Sequence, residues 1–379
     1  MAAAIAAIAV IVMRESPLAD HPIIEGGHQL ERVAFSDIPG WHVDDPSDAL
    51  QAFRRSCAAL TTADRTDGLF NACRMAADLP SGLAAEDVRA FFERHFVAYR
   101  IAPADGQGLL TAYYEPEIPG SRSPSERYST PLRALPADYV TVDHDTDSNR
   151  LDPELTTARR TSEGLKPWPT RGEIAEGALE GIAEPLVWVE DPVDAFFIHI
   201  QGSSRIALDN GETMRIGFAG RNGHPYTSVG QRMMERGIEP PEGYSMDGIR
   251  AFFRDRPDLA RELMNENRSY IFFREIDGLD PELGPIGAQG VPLTDGRSMA
   301  VDPDFHRLGM PIFVDAALPT GANRAMEPFR RLMIAQDTGA AIKGPARGDL
   351  FWGTGREAGS GAGDVKGTGI IYLLLPHGP

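Results

Sequence analysis

Cysteine is scarce in this chain of 379 residues: Cys57 and Cys73 are its only two. A four-cysteine structural zinc site is therefore excluded, and no histidine partners stand at finger spacing. Long apolar runs are missing too. No internal stretch approaches the ~18 residues that a bilayer-crossing helix needs. Positive charge is in short supply, with 37 basic against 55 acidic side chains, a net charge of −18 and a pI near 4.9. That balance weighs against sequence-independent nucleic-acid binding, which needs a dense cationic surface. The nine histidines are scattered and form no H-E-x-x-H, so metal hydrolysis has no support and no metal site is expected. No G-x-S-x-G elbow occurs either.

What is present is ordinary for a globular protein, with 24% charged and 42% hydrophobic residues. The length suggests two domains. Residues 1–13 are almost wholly apolar before Arg14 and Glu15 end the run. The run is too short to span and matches the apolar region of a secretory signal, although no basic residue precedes it and no clean A-x-A site follows. A buried N-terminal helix is the bland alternative. We assign 1–20 as a signal-like or anchor segment and expect an exported, periplasmic protein, associated with a membrane through that segment alone. The isolated pair Cys57 and Cys73 then fits one disulfide, with two buried thiols as the alternative.

Three- and four-residue spacing of Ala49, Leu50, Phe53, Cys57 and Leu60, and of Val88, Phe91, Phe92 and Phe96, predicts helices across 47–100, with Ser81 a candidate N-cap. Residues 109–114 read as a strand and are followed by a proline-rich loop region. Strands are expected at 186–190, 195–200, 204–208 and 212–218, with a hairpin turn at Asp209-Asn210-Gly211. Helices at 227–237 and 246–266 precede strands at 269–275, 311–316, 330–337 and 369–375. Few helices intervene and the apolar strands lack strict alternation. The fold class is mainly β with helical decoration (α+β), closed or sandwich-like.

The residues best suited to chemistry cluster near the C-terminus: Asp337-Thr338-Gly339, then Lys343-Gly344, then Asp349 followed by Leu350, Phe351 and Trp352, with Asp302 upstream. Asp beside Gly is more often a turn residue bonding its own backbone. Asp337-Thr338-Gly339 looks like the aspartic-protease triplet, but that chemistry needs two copies sharing a proton, and there is one. Asp143, Asp145, Asp147, Asn149 and Glu154 approach calcium-loop spacing, with Ser148 where glycine is required, so an acidic surface loop is the better reading. The glycine-rich run 353–369 is read as leading into a strand, not opening a nucleotide-binding helix.

Four linked motifs carry a resemblance. They are Thr111-Ala112-Tyr113-Tyr114-Glu115-Pro116, the run 197–204 containing Gln201 and Ser203, the run 219–230 containing Asn222, His224 and Tyr226, and the C-terminal block. Together they resemble the membrane-bound lytic murein transglycosylase A family across roughly residues 105–375. The resemblance implies a double-psi β-barrel domain with N-terminal helices (23–115 and 275–376), an inserted substrate-binding β domain (116–274) and a cleft between them. Its three-aspartate region maps onto Asp302, Asp337 and Asp349. Arg347-Gly348 stand where the family frequently has His-Phe, and the spacing from Asp337 to Asp349 is one residue longer.

The implied activity is cleavage of the β-1,4 bond between N-acetylmuramic acid and N-acetylglucosamine, leaving a 1,6-anhydromuramoyl end without any cofactor. Ordinary glycosidases use two carboxylates. Here the sugar's own C6 hydroxyl attacks, so one acid, Asp349, suffices, with Asp302 and Asp337 in support. Asp349 would need a raised pKa, from Asp337 as a neighbouring charge and from Leu350, Phe351 and Trp352 as an apolar wall. Candidate glycan contacts are Tyr113, Tyr114, Gln201, Ser203, Asn222, His224, Tyr226, Lys343 and Trp352. Expected partners are peptidoglycan glycan strands and other cell-wall proteins, and not nucleic acid. A non-catalytic wall-glycan-binding protein is the competing reading, because fold alone does not decide function.

Overall fold

The computed structural model describes residues 23–24, 28–60, 68–102, 108–144, 151–320 and 324–377. The signal-like segment and the middle of the calcium-like stretch, 145–150, lie outside them. The chain divides into two compact units. One comprises Met1–Tyr113, Glu282–Gly353 and Asp364–Pro379; the other comprises Tyr114–Pro281 and Thr354–Gly363.

The first unit is built on six strands: Gly108–Glu115, Ser298–Val301, Pro311–Leu318, Glu327–Thr338, Arg347–Thr354 and Lys366–Pro376. Each pairs with two others, and the pairing of Lys366–Gly369 with Gly108–Thr111 closes them into a barrel. This is the six-strand closure that the double-psi expectation requires. Ser298–Val301 runs parallel to Glu327–Thr338. Beyond the closure, the last strand also carries Phe96–Ala102, which carries His28–Val33.

Ile312, Phe313 and Val314 are all fully buried, because helices cover one face and the barrel core takes the other. Such strands have no polar face and show no period of two. The helices Ser47–Ala58, Gly68–Ala77 and Ala85–His95 form the cover. Phe53 packs its ring 5.8 Å from both Phe92 and Phe96. The third helix is capped at Ala84, not Ser81, and ends at His95, so Phe96 begins a strand. Two polar ties pin this layer. Arg297 donates Nη1 and Nη2 to the two Asp44 oxygens, each at 2.8 Å. Buried Gln336 donates to the Ala52 carbonyl at 2.9 Å and to Ser56 Oγ at 2.8 Å. Cys57 and Cys73 are joined as a disulfide between the first two helices, with Cα atoms 5.3 Å apart.

The second unit has a six-stranded sheet ordered Ile271–Glu275, Thr213–Arg221, Ser203–Leu208, Glu117–Ser121, Pro185–Val189, Thr130–Arg133. The turn at Asp209-Asn210-Gly211 joins neighbouring strands as expected, with Gly211 at φ +87°. The expected strand 195–200 is instead a helix, Pro192–Gln201. Asp191 Oδ1 accepts the Val193 N–H at 2.8 Å, Pro192 starts the helix and left-handed Gly202 ends it. Ala195 and Ile198 pack on the sheet, while Val193, Phe196 and Phe197 pack on the helices Val229–Glu235, Met246–Asp255 and Pro257–Glu266. A helix apolar on every side loses the stripe that identifies helices. The single helix expected at 246–266 is broken at Pro257, which begins a new one.

One further expectation is corrected. The glycine-rich run opens a helix, Gly355–Ala362, before the strand Lys366–Pro376. Residues Thr354–Gly363 group with the second unit. Gly359 lies against Tyr114 so closely that a Cβ there would sit 2.5 Å from the ring.

Glu115 is wholly buried in this unit and accepts from Arg205 Nε at 2.9 Å, Arg215 Nη2 at 3.1 Å and Thr354 Oγ1 at 2.9 Å. Removing it takes the shared carboxylate from two arginines in a low-dielectric site. Glu115→Ala should therefore cost about 3–5 kcal/mol in urea unfolding. Separately, thiol titration of the denatured, unreduced protein should find no free thiol. Replacing both cysteines by Ala should cost about 2–4 kcal/mol, since the bridge closes a short loop.

Candidate functional site

Alternation along a strand sends every second side chain to one face. In the strand Arg347–Thr354, Leu350 belongs to the barrel core and Trp352 packs against it. Arg347, Asp349 and Phe351 therefore face the other way. In the strand Gly108–Glu115, Leu110 is in the core and Ala112 packs on it, so Thr111 and Tyr113 share that outer face. Gly348 takes an inward position, where a Cβ would sit 2.8 Å from Met299 Cε.

On this outer face Thr111 Oγ1 donates to Asp349 Oδ1, and Arg347 Nη2 donates to Thr111 Oγ1 at 2.7 Å. Tyr113 donates its hydroxyl to Asp337 Oδ2 at 2.7 Å, and its ring lies 5.4 Å from that of Phe351. Asp337 Oδ1 accepts two backbone N–H groups, from Ala288 at 2.8 Å and Thr338 at 2.9 Å. The loop Gly284-Pro285-Ile286-Gly287-Ala288 presses on the cluster from outside. A Cβ on Gly284 would lie 2.8 Å from the Phe351 ring, and one on Gly287 would lie 2.6 Å from the Gln336 carbonyl oxygen.

The three aspartates occupy different environments. Burial pushes the half-buried Asp349 carboxyl above its usual value, and the charge of Asp337 adds to this. Arg347 and the Thr111 hydrogen bond pull it down without cancelling the rise. Burial also raises Asp337, against hydrogen bonds from Tyr113, Ala288 and Thr338. Asp302 is the opposite case. Burial alone would raise it, but the Gly344 N–H at 2.8 Å, Lys343 Nζ at 3.1 Å and the Asp304 N–H outweigh burial and hold it below the usual range. Asp349 Oδ2 alone among these six oxygens accepts no hydrogen bond from the described residues.

The structure thus brings together Asp349, Asp337 and Tyr113, and sets Asp302 with Lys343 in a cluster of its own. Of the expected apolar wall only Phe351 stands on the Asp349 face. Leu350 is in the core, and Trp352 stacks on Phe329 at 5.8 Å. Several candidate glycan contacts are engaged within the second unit's own fold. Asn222 Nδ2 donates to the Pro169 and Arg268 carbonyls at 2.9 Å each, and His224 Nε2 bonds the Trp168 carbonyl at 2.8 Å. Gln201 Oε1 accepts the Tyr114 N–H at 3.0 Å, and Tyr114 and Ser203 are buried. Tyr226 is half-buried. Thr111 and the Ala288 N–H were not singled out from sequence as site groups. The paired glycines 284 and 287 are the one local signal that a backbone approaches closely there.

Comparison with known proteins bears on the family and the fold. Residues 109–274 match the MltA specific insert domain and residues 297–375 match the 3D domain. The crystal structure of a membrane-bound lytic murein transglycosylase from Agrobacterium tumefaciens superposes with a TM-score of 0.82 at 36% identity, covering 92% of this chain and 97% of that one. The monoclinic crystal form of MltA from Neisseria gonorrhoeae gives a TM-score of 0.79 at 36% identity, covering 96% of each chain. Membrane-bound lytic murein transglycosylase A of Vibrio cholerae is 29% identical over 288 residues, 73% of this chain and 68% of its own length.

The aspartate environments carry opposite stability signs. Asp349 binds its proton more tightly in the folded chain than its free value of 3.8 would allow. Stability is therefore lost as pH rises from that value through the folded one. Asp302 is lowered from 3.8, so its contribution is present above that value and is lost as pH falls through the folded one. Asp349→Asn should raise Tm at pH ~7 and change little near pH ~3, while Asp302→Asn should lower Tm at pH ~7. Thermal unfolding at both pH values checks the pair.

Proposed function

The chain belongs to the membrane-bound lytic murein transglycosylase A family, and from that premise we propose that Asp349 is the one residue that gives and then retrieves the proton in its reaction. The enzyme is a lyase-type lytic transglycosylase acting on peptidoglycan. It cleaves the β-1,4 bond between N-acetylmuramic acid and N-acetylglucosamine and leaves 1,6-anhydromuramoyl ends. The non-catalytic reading is not favoured in this family.

One observation supports Asp349 over its neighbours: it is the aspartate with an oxygen that accepts no hydrogen bond from the described residues. Asp337 spends both oxygens on Tyr113, Ala288 and Thr338, and Asp302 spends both on the 343–344 turn and the Asp304 N–H. A raised pKa lets Asp349 start protonated and deliver its proton to the departing glycosidic oxygen as the C1–O bond breaks. The C6 hydroxyl of the same sugar then attacks C1, and the Asp349 carboxylate takes the hydroxyl proton. The attack is intramolecular, so proximity stands in for a second carboxylate. Thr111 steadies Oδ1 and leaves Oδ2 for the substrate. Asp337, held in place by Tyr113, supplies the nearby negative charge.

Membrane attachment named in the relatives fits an envelope location, and export through residues 1–13 belongs to the same proposal. Among the described residues no helix is long and apolar enough to cross a membrane.

The test is digestion of purified sacculi, with anhydro-ended muropeptides counted by mass spectrometry and sacculus binding measured by co-sedimentation. Asp349→Asn should lose ~10²–10⁴ of turnover with binding retained, and Asp337→Asn should lose less. Asp349→Asn within about threefold of the parent, with Asp337→Asn inactive, would place the acid at Asp337 instead.

A further inference from the structure

A cavity of about 710 Å³ is lined wholly by residues of the Tyr114–Pro281 part of the second unit, none of which is assigned above to the reaction. It is framed by the strand Thr130–Arg133 and the helices Arg171–Ala175, Pro192–Gln201 and Pro257–Glu266. Its apolar lining includes Ile174, Val193, Phe196, Phe253 and Met264.

The charges in the lining do not balance. Three arginines of the lining are paired with carboxylates: Arg133 with Glu180, Arg254 with Asp191 at 2.7 Å and with Asp194 at 2.9 Å, and Arg261 with Asp258 at 3.1 Å. Arg171, the fourth guanidinium, is left over. It is buried, and its N–H groups go to neutral acceptors: the Ser269 carbonyl at 2.6 Å, the Asn267 carbonyl at 3.2 Å and His199 Nδ1 at 2.9 Å. The rings of Phe196 and Tyr270 lie 4.9 and 5.5 Å from it, which recovers part of the cost of burial. Burial lowers its pKa only to about 10, so it stays charged at neutral pH. Buried cations are ordinarily matched by an anion.

His199 adds a second unmatched donor. Burial and the neighbouring Arg171 push its pKa well down, so the ring is neutral. With Nδ1 accepting from Arg171, the proton sits on Nε2, and that buried atom has no hydrogen-bond partner among the described residues.

We propose that this cavity binds a ligand with a carboxylate head and a compact apolar body, the head set against the Arg171 guanidinium. Arg offers a planar fork that matches a carboxylate, and the volume lies within the ordinary range for small-molecule sites, ~300–1,000 Å³. The site does not depend on the reading of Asp349.

The test is calorimetric titration of the full chain with octanoate, with N-acetyl-D-alanyl-D-alanine and with octanamide as the uncharged control. At least one acid should bind with a Kd below about 1 mM, and octanamide should bind at least about tenfold more weakly than octanoate or not at all. Octanoate alone binding assigns an aliphatic acid, and the dipeptide alone binding assigns a peptide C-terminus. Arg171→Gln should abolish binding. Should that variant fail to fold, Ala175→Trp gives the same readout, because Ala175 is exposed yet lines the cavity and a bulky ring there fills it. Binding of neither acid, octanamide matching octanoate when octanoate binds, or Ala175→Trp binding like the parent would each overturn the proposal.

Discussion

The hydrogen bonding of Lys366–Gly369 to Gly108–Thr111 is the constraint on which closure of the barrel depends. It joins the start of the last strand to the first strand of the barrel, across the whole intervening chain. Continuing past Gly369, the same strand pairs with Pro311–Leu318 and then with Phe96–Ala102. Gly369 marks the changeover. A Cβ there would sit 2.6 Å from Ala316 Cβ and 2.8 Å from the Asp315 carbonyl oxygen, so only glycine lets the strands come this close. The strand carrying Thr111 pairs directly with the one carrying Asp349, and the closure ties its other edge to the last strand.

The site shows how one residue type is given three uses by its surroundings. Asp302 meets backbone N–H groups and a lysine and is held as an anion. Asp337 meets donors on both oxygens but is buried enough for burial to prevail. Asp349 is buried with fewer donors, so its pKa is raised while Oδ2 accepts no hydrogen bond from the described residues. Desolvation and donor number oppose each other at each carboxyl, and their balance sets the direction. Tyr113 belongs to the same balance: burial and the Asp337 charge keep its phenol protonated, so it acts as a donor.

The second unit handles buried charge differently. Glu115 is matched by two arginines and a hydroxyl, whereas Arg171 is matched by carbonyls, a neutral imidazole and two aromatic faces. The first arrangement is complete within the protein. The second leaves a positive charge without a carboxylate partner in the lining of a cavity, and for that reason it carries the inference drawn above.

Much of the architecture was legible in the residues. The barrel strands at 311–316, 330–337 and 369–375 announced themselves as short apolar runs, and Asp209-Asn210-Gly211 announced its hairpin, because turn chemistry and strand burial act locally. The helix Pro192–Gln201 was misread because, buried on all sides, it shows neither period, and Asp191-Pro192 was the one local sign of a helix start. Likewise Tyr113, Asp337 and Asp349 could be nominated from motif resemblance, but not Trp352's true place against Phe329 or Thr111's bond to Asp349. Which face a strand residue takes depends on register, and register is set by partners far along the chain. Composition and local pattern decided the elements and the candidate acids. Tertiary pairing alone decided which acid keeps a free oxygen, because desolvation and donor count exist only once distant strands have met.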